Sequence, residues 1–242
     1  MTPHELVRAG KLSEALAAMV ADVRDHPADV KKRTFLFELL CFAGQYERAE
    51  KHLNLLAQAT PDAEFGALLY RSALAAQRQR EALVSSGDYP GIDSVKPSSP
   101  GTLNGKPFRS LEDLDPRIGP RLEIFVAGEY VWLPFEHIGS IHMAAPRFLR
   151  DTLWAVATVE TGPSFQGQSF GEVLIPMLAP FSWKHESDEV KLGHSTDWKQ
   201  HGDLLIPFGQ KLLVVMDEET VIPFLEVREL GFEESTEASV VS

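Results

Sequence analysis

The chain has 242 residues, 44% hydrophobic and 24% charged, enough apolar material for one large core or two small ones. Its net charge of −12 is uneven: residues 1–88 hold 11 Lys+Arg against 12 Asp+Glu, residues 89–242 hold 12 against 23, and an acidic second half disfavours nucleic acid and anionic membrane surfaces as partners. One cysteine, Cys41, cannot form an internal disulfide, no apolar run is long enough to span a bilayer, and MTPHELVRAGKL lacks the layout of a secretory signal, so a cytoplasmic protein that binds other proteins is expected.

Thr2-Pro3-His4-Glu5 reads as a capping box, with a Thr cap, Pro at the first helical position and Glu three residues after the cap. Gly10 ends that short helix. Leu12, Ala15, Leu16, Met19, Val20 and Val23 then recur at helical spacing until Pro27. The same layout returns 34 residues later: Ala9-Gly10 becomes Ala43-Gly44, Leu12 becomes Tyr46, Ala15 becomes Ala49, Met19 becomes Leu53, and Pro27 becomes Pro61. That is the period of a tetratricopeptide (TPR) repeat, in which small residues let paired helices approach and glycines make the turn between them. A further helix, roughly Pro61 to Ser85, caps the stack, with Gln77-Arg78 where a third Ala-Gly turn would stand.

Residues 86–107, SGDYPGIDSVKPSSPGTLNGKP, are dense in Pro, Gly and Ser and read as a linker. Beyond them the period becomes that of strands. Leu122–Val126 and Tyr130–Leu133 flank a hairpin turn, and Ile138–Met143, Leu153–Val159, Gly171–Met177, Lys211–Val215 and Val221–Val227 are further strand-like runs. Leu111–Leu114 and Ala145–Asp151 are candidate short helices. The expected fold is α+β: a TPR-like helical unit over residues 1–88, a linker over 89–107, a mainly antiparallel β domain over 108–233, and a loose tail over 234–242.

Gly167-Gln168-Ser169-Phe170-Gly171 matches the G-x-S-x-G nucleophile elbow, but that elbow needs a strand before it and a helix after it. Here a turn-rich stretch enters and a strand leaves, so a β-turn is the better reading. Five histidines lie in the second half (His137, His142, His185, His194 and His201) without ligand spacing: His185-Glu186 has Glu189 where a zincin needs its second histidine. No cofactor or metal is expected. Asp197-Trp198 is read as a capped turn beside a packed indole.

Stacked helix pairs leave a concave groove that accepts a helix or peptide. In the 34-residue register, His4, Thr34, Glu38, Phe65, Leu68 and Ser72 face it, with Phe65 and Leu68 as apolar anchors. The alternative is that these residues only pack the helical unit against its neighbour.

The order Asp151-Thr152-Leu153-Trp154, Leu174-Ile175-Pro176, Leu192-Gly193-His194-Ser195-Thr196-Asp197-Trp198 and Gly209-Gln210-Lys211, behind a helical N-terminus, resembles the ImpE/TagJ (SciE-type) accessory proteins of type VI secretion systems. Members usually carry a basic residue where His194 stands, Arg where Lys211 stands, and a Tyr-containing segment where this chain has Met177-Leu178-Ala179-Pro180-Phe181. The resemblance implies a non-catalytic adaptor that engages the N-terminal helix of the small sheath subunit, TssB, and so affects sheath handling by the ClpV ATPase. A general TPR-like scaffold unrelated to secretion, and a serine hydrolase using Ser169, are the alternatives.

Overall fold

Thr2 caps the first helix as expected: its hydroxyl accepts the Glu5 N–H at 3.3 Å, and the Glu5 carboxylate accepts the Thr2 N–H at 2.8 Å. The structure, a computed structural model, describes residues 1–58, 61–89, 95–165 and 169–233; the tail assigned to 234–242 lies outside the described residues. Helices α1 (Pro3–Arg8) and α2 (Leu12–Asp25) turn about Gly10 at φ +72°, and α3 (Val30–Phe42) and α4 (Tyr46–Ala57) turn about Gly44 at φ +66°. Both turns need the left-handed backbone that glycine adopts without strain. Ala15 and Ala49 are fully buried, and α3 is buried at every residue from Phe35 to Phe42, as befits a helix packed between α2 and α4.

The helix α5 (Pro61–Ser86) runs for 26 residues without a turn. Where the repeat pattern lacks Ala-Gly, Gln77 and Arg80 are buried and point at the β domain instead. The missing turn and the docking of the sheet are therefore one feature.

The β domain is antiparallel throughout. Its main sheet has eight strands in the order β2-β1-β13-β6-β7-β8-β4-β5. Here β1 is Gly101–Leu103, β2 Lys106–Phe108, β4 Arg121–Val126, β5 Glu129–Pro134, β6 Ile138–Met143, β7 Trp154–Thr161, β8 Gly171–Pro176 and β13 Glu229–Phe232. A three-stranded sheet, β12-β11-β3, joins Leu111–Asp113 (β3), Leu212–Val215 (β11) and Thr220–Pro223 (β12); β9 (Thr196–His201) and β10 (Leu204–Gly209) form a separate ribbon.

Alternation along the strands divides the core in two. Ile124, Ala155, Ala157, Val159, Val173 and Ile175 face the three-stranded sheet, meeting Leu111, Leu213, Val215 and Phe224. Phe125, Trp154 and Leu174 face the other way and join the core of α1 to α5. Each such buried Leu, Ile or Phe contributes about 1.5–3 kcal/mol, so helices and sheet are bound by one continuous apolar contact.

Three expectations are corrected. The stretch read as a linker contains the β1–β2 hairpin, turned by Asn104 at φ 50° and Gly105 at φ 79°, with Gly101 opposite Phe232 at the sheet edge. Leu111–Asp113 is a strand, not a helix, because it pairs with Leu213–Val215. The region proposed as a helix at Ala145–Asp151 holds a short 3-10 turn at Leu149–Thr152.

Candidate partner-binding surface

The six residues proposed to line one groove are divided by the protein itself. His4 is exposed and stacks on Phe35 at 3.9 Å, and the half-buried Thr34 donates its hydroxyl to the Val30 carbonyl. Glu38 is buried and accepts a 2.7 Å bond from Arg150, which reaches in from the β domain and also lies over the rings of Tyr70 and Phe148. Ser72 sits against Gly128, at the turn between β4 and β5. Arg150 thus ties α3 and α5 to the β domain, and Glu38 and Ser72 serve the contact between helices and sheet.

Phe65 and Leu68 remain open, at 76% and 59% exposed, and Leu69 follows at 42%. With Ser72 they stand at i, i+3, i+4 and i+7, one stripe along α5. The stripe runs into a cleft of about 70 Å³ between α5 and the sheet, whose walls include Leu69, Ser72, Phe125, Leu174 and Glu172. Val156, 40% exposed, is the cross-strand neighbour of Leu174 and extends this apolar floor. Helical register puts Phe65 and Leu68 on this exposed stripe, whereas the residues of the sheet wall meet α5 only in the folded chain.

The walls are held together by a buried charge network. The Arg80 guanidinium donates two bonds of 2.7 Å to the Glu123 carboxylate on β4, and both side chains are shielded from solvent. The Lys211 ammonium pairs with Glu123 and, at 2.8 Å, with Asp113; the Tyr130 hydroxyl donates to Glu123 at 2.5 Å. Burial alone would raise the Glu123 carboxyl, but Arg80 and Lys211 hold it well below the usual carboxylate range. Burial pushes the Asp113 carboxyl up to about 6, with Lys211 opposing. Burial and the Glu123 charge together raise the Tyr130 phenol.

A second junction seats both helix-pair turns on the segment from Ser182 to Leu192. Trp183 covers Gly44, leaving no room for a Cβ there, and its indole N–H donates to Glu81 at 3.0 Å. Glu81 also accepts from Tyr46 at 2.7 Å and Gln77 at 3.0 Å. Glu189, on the short helix α6 (Asp188–Lys191), covers Gly10. Asp188 accepts the Ser13 N–H at 2.7 Å and the Ser13 hydroxyl at 3.0 Å, capping α2, whose own N-cap residue, Lys11, offers no capping bond.

Ser169 leads into β8 rather than into a helix, and its hydroxyl donates to the Val159 carbonyl at 3.5 Å; Gly167 and Gln168 lie outside the described residues. His185 Nε2 lies 2.9 Å from Asp197 Oδ2 while Nδ1 accepts the Ser187 N–H, so both ring nitrogens are engaged in bracing this segment. Among the described residues, no three His, Cys, Asp or Glu side chains are grouped to hold a metal ion. No helix among them is long and apolar enough to cross a membrane.

The helical unit is docked on an antiparallel sheet through buried polar and apolar contacts, and an apolar stripe on α5 is left open. The ImpE protein family model matches residues 105–231, and the chain belongs to that family. It is 29% identical over 266 residues to the type VI secretion system accessory component TagJ of Pseudomonas aeruginosa, covering 96% of this chain and 92% of that protein. Its fold is similar to the crystal structure of protein VPA1032 from Vibrio parahaemolyticus, with a TM-score of 0.83, 23% identity, and coverage of 97% of this chain and 98% of the other.

Proposed function

We propose that this chain is a non-catalytic, cytoplasmic accessory protein of a type VI secretion system, a TPR-like unit and sheet domain that together bind the N-terminal helix of the small sheath subunit, TssB. Through that contact it would influence how the ClpV ATPase handles the sheath. The observation that carries the reading is the likeness to TagJ over nearly the whole of both chains. The apolar stripe Phe65–Leu68–Leu69 adds a physical reason, since exposed large side chains at helical spacing suit a partner's apolar face.

The test is calorimetric titration of the full chain with a peptide copying the N-terminal helix of its cognate small sheath subunit. The full chain is required because α1 to α5 share their core with Phe125, Trp154 and Leu174 of the sheet. Saturable binding in the micromolar range supports the reading. Absence of heat and of any shift in melting temperature at high peptide concentration argues for a scaffold unrelated to the sheath.

A further inference from the structure

The geometry points to the cleft between α5 and the open half of the main sheet as the seat of the partner helix, and to a helix whose apolar stripe is flanked by Lys or Arg. This rests on the functional reading above and adds to it a location and a chemistry. The residues expected to line a groove within the helical unit are not all free for a partner, because Arg150 of the β domain occupies Glu38 and covers Tyr70. The opposite side of α5 is also committed, with Ala67 and Leu74 buried in the core. What remains is the stripe Phe65–Leu68–Leu69 and the floor it borders.

That floor changes character along the strands. Next to α5 it is apolar, with Leu174 and Val156 paired across β8 and β7, and the cleft of about 70 Å³ has room for the end of one aliphatic side chain. One step along the same face, the register sets Glu172, Thr158, His142 and Glu229 in a single row across β8, β7, β6 and β13. Glu160 follows Thr158 on the same face of β7 and accepts the Ser140 hydroxyl at 3.0 Å. Among the described residues, no Lys or Arg forms an ion pair with Glu160, Glu172 or Glu229. The cations on the far side of α5 are engaged, Arg71 with Asn54 and Arg150 with Glu38. An apolar wall beside uncompensated carboxylates matches a helix that presents hydrophobic anchors toward α5 and basic side chains toward β7 and β8.

The experiment is fluorescence anisotropy with a labelled copy of the sheath subunit's N-terminal helix, against the full chain and the variants Leu69→Asp, Glu172→Lys and Thr34→Arg, at low and high salt. Leu69→Asp is expected to weaken binding about tenfold or more and Glu172→Lys about fivefold, with Thr34→Arg unchanged. Added salt should weaken the wild type more than Glu172→Lys. Circular dichroism and melting check that each variant is folded, and Leu69→Ala replaces Leu69→Asp if the latter is not. Binding that survives the Leu69 and Glu172 changes but is lost in Thr34→Arg overturns the cleft while leaving the sheath reading intact. Wild-type protein that does not bind the peptide overturns the sheath reading and this occupant together. Self-association abolished by Leu69→Asp, with no competition from the peptide, assigns the cleft to a second copy and overturns the proposal.

Discussion

Arg80 and Glu123 face each other across the boundary between helices and sheet, joined by two parallel bonds of 2.7 Å, with neither side chain reaching solvent. One lies on α5 where the repeat pattern fails, the other on a strand buried on both faces. The pair ties α5 to β4, and residues of both elements line the cleft beside it.

Removing one partner leaves the other charge buried. Arg80→Ala is expected to cost about 3–5 kcal/mol, measured as the change in urea midpoint at constant slope. Arg80→Lys should recover only part of this, since one ammonium cannot supply two parallel bonds. Equal stability of Arg80→Ala and wild type would remove the pair from the account.

The same network sets a pH signature. Asp113 rises from its ordinary 3.8 to about 6 in the folded chain, so the folded state holds a proton that the unfolded state has released. Its ionisation therefore lowers stability as pH climbs through that window. Glu123 acts in the opposite sense: its carboxyl is depressed on folding, so its contribution is present above its ordinary value of 4.5 and is lost as pH falls below it. Asp113→Asn should remove the first component, giving a more positive slope of unfolding free energy against pH between about 4 and 6 than the wild type shows. An unchanged slope contradicts the assignment.

Gly44 is constrained twice, by φ +66° and by the indole of Trp183 above it. Gly44→Ala should destabilise by roughly 1–3 kcal/mol, and the backbone part of that cost persists in any background. Combining it with Trp183→Ala should relieve the steric part, a coupling of about 0.5–3 kcal/mol in a double-mutant cycle. Strict additivity would mean that the ring is not the obstacle.

Asp188 caps α2 through Ser13, which lies 175 residues before it in the chain. Asp188→Ala is expected to cost about 0.5–2 kcal/mol, and hydrogen exchange at the first turn of α2 should quicken. Protection unchanged at Ser13 would show that the cap contributes nothing.

Much of the fold was legible because local pattern and final packing agree. The capping box at Thr2, the two Ala-Gly turns, and β4 to β8 follow from spacing alone, and Ala127-Gly128 turns the hairpin with both φ values positive. The β1–β2 hairpin was hidden: its strands are three residues each, and the Asn104-Gly105 turn lies within a stretch whose Pro, Gly and Ser content suggests a linker. The charge network was hidden for a different reason. Asp113, Glu123 and Lys211 are residue types that ordinarily face water, and only their distant partners let them stay inside. Glu123 carried one clue, an acid between Leu122 and Ile124 in an otherwise apolar strand. Of the proposed surface, Phe65 and Leu68 were readable from helical register, whereas the use of Glu38 by Arg150 depends on a contact 112 residues away in the chain.

The most direct measurement of the central claim is co-expression of the full chain with the cognate small sheath subunit, followed by affinity capture and size-exclusion chromatography. The account expects the two to elute together, and expects deletion of the sheath subunit's N-terminal helix to abolish the complex. Failure to co-elute, or a complex that persists without that helix, would contradict it.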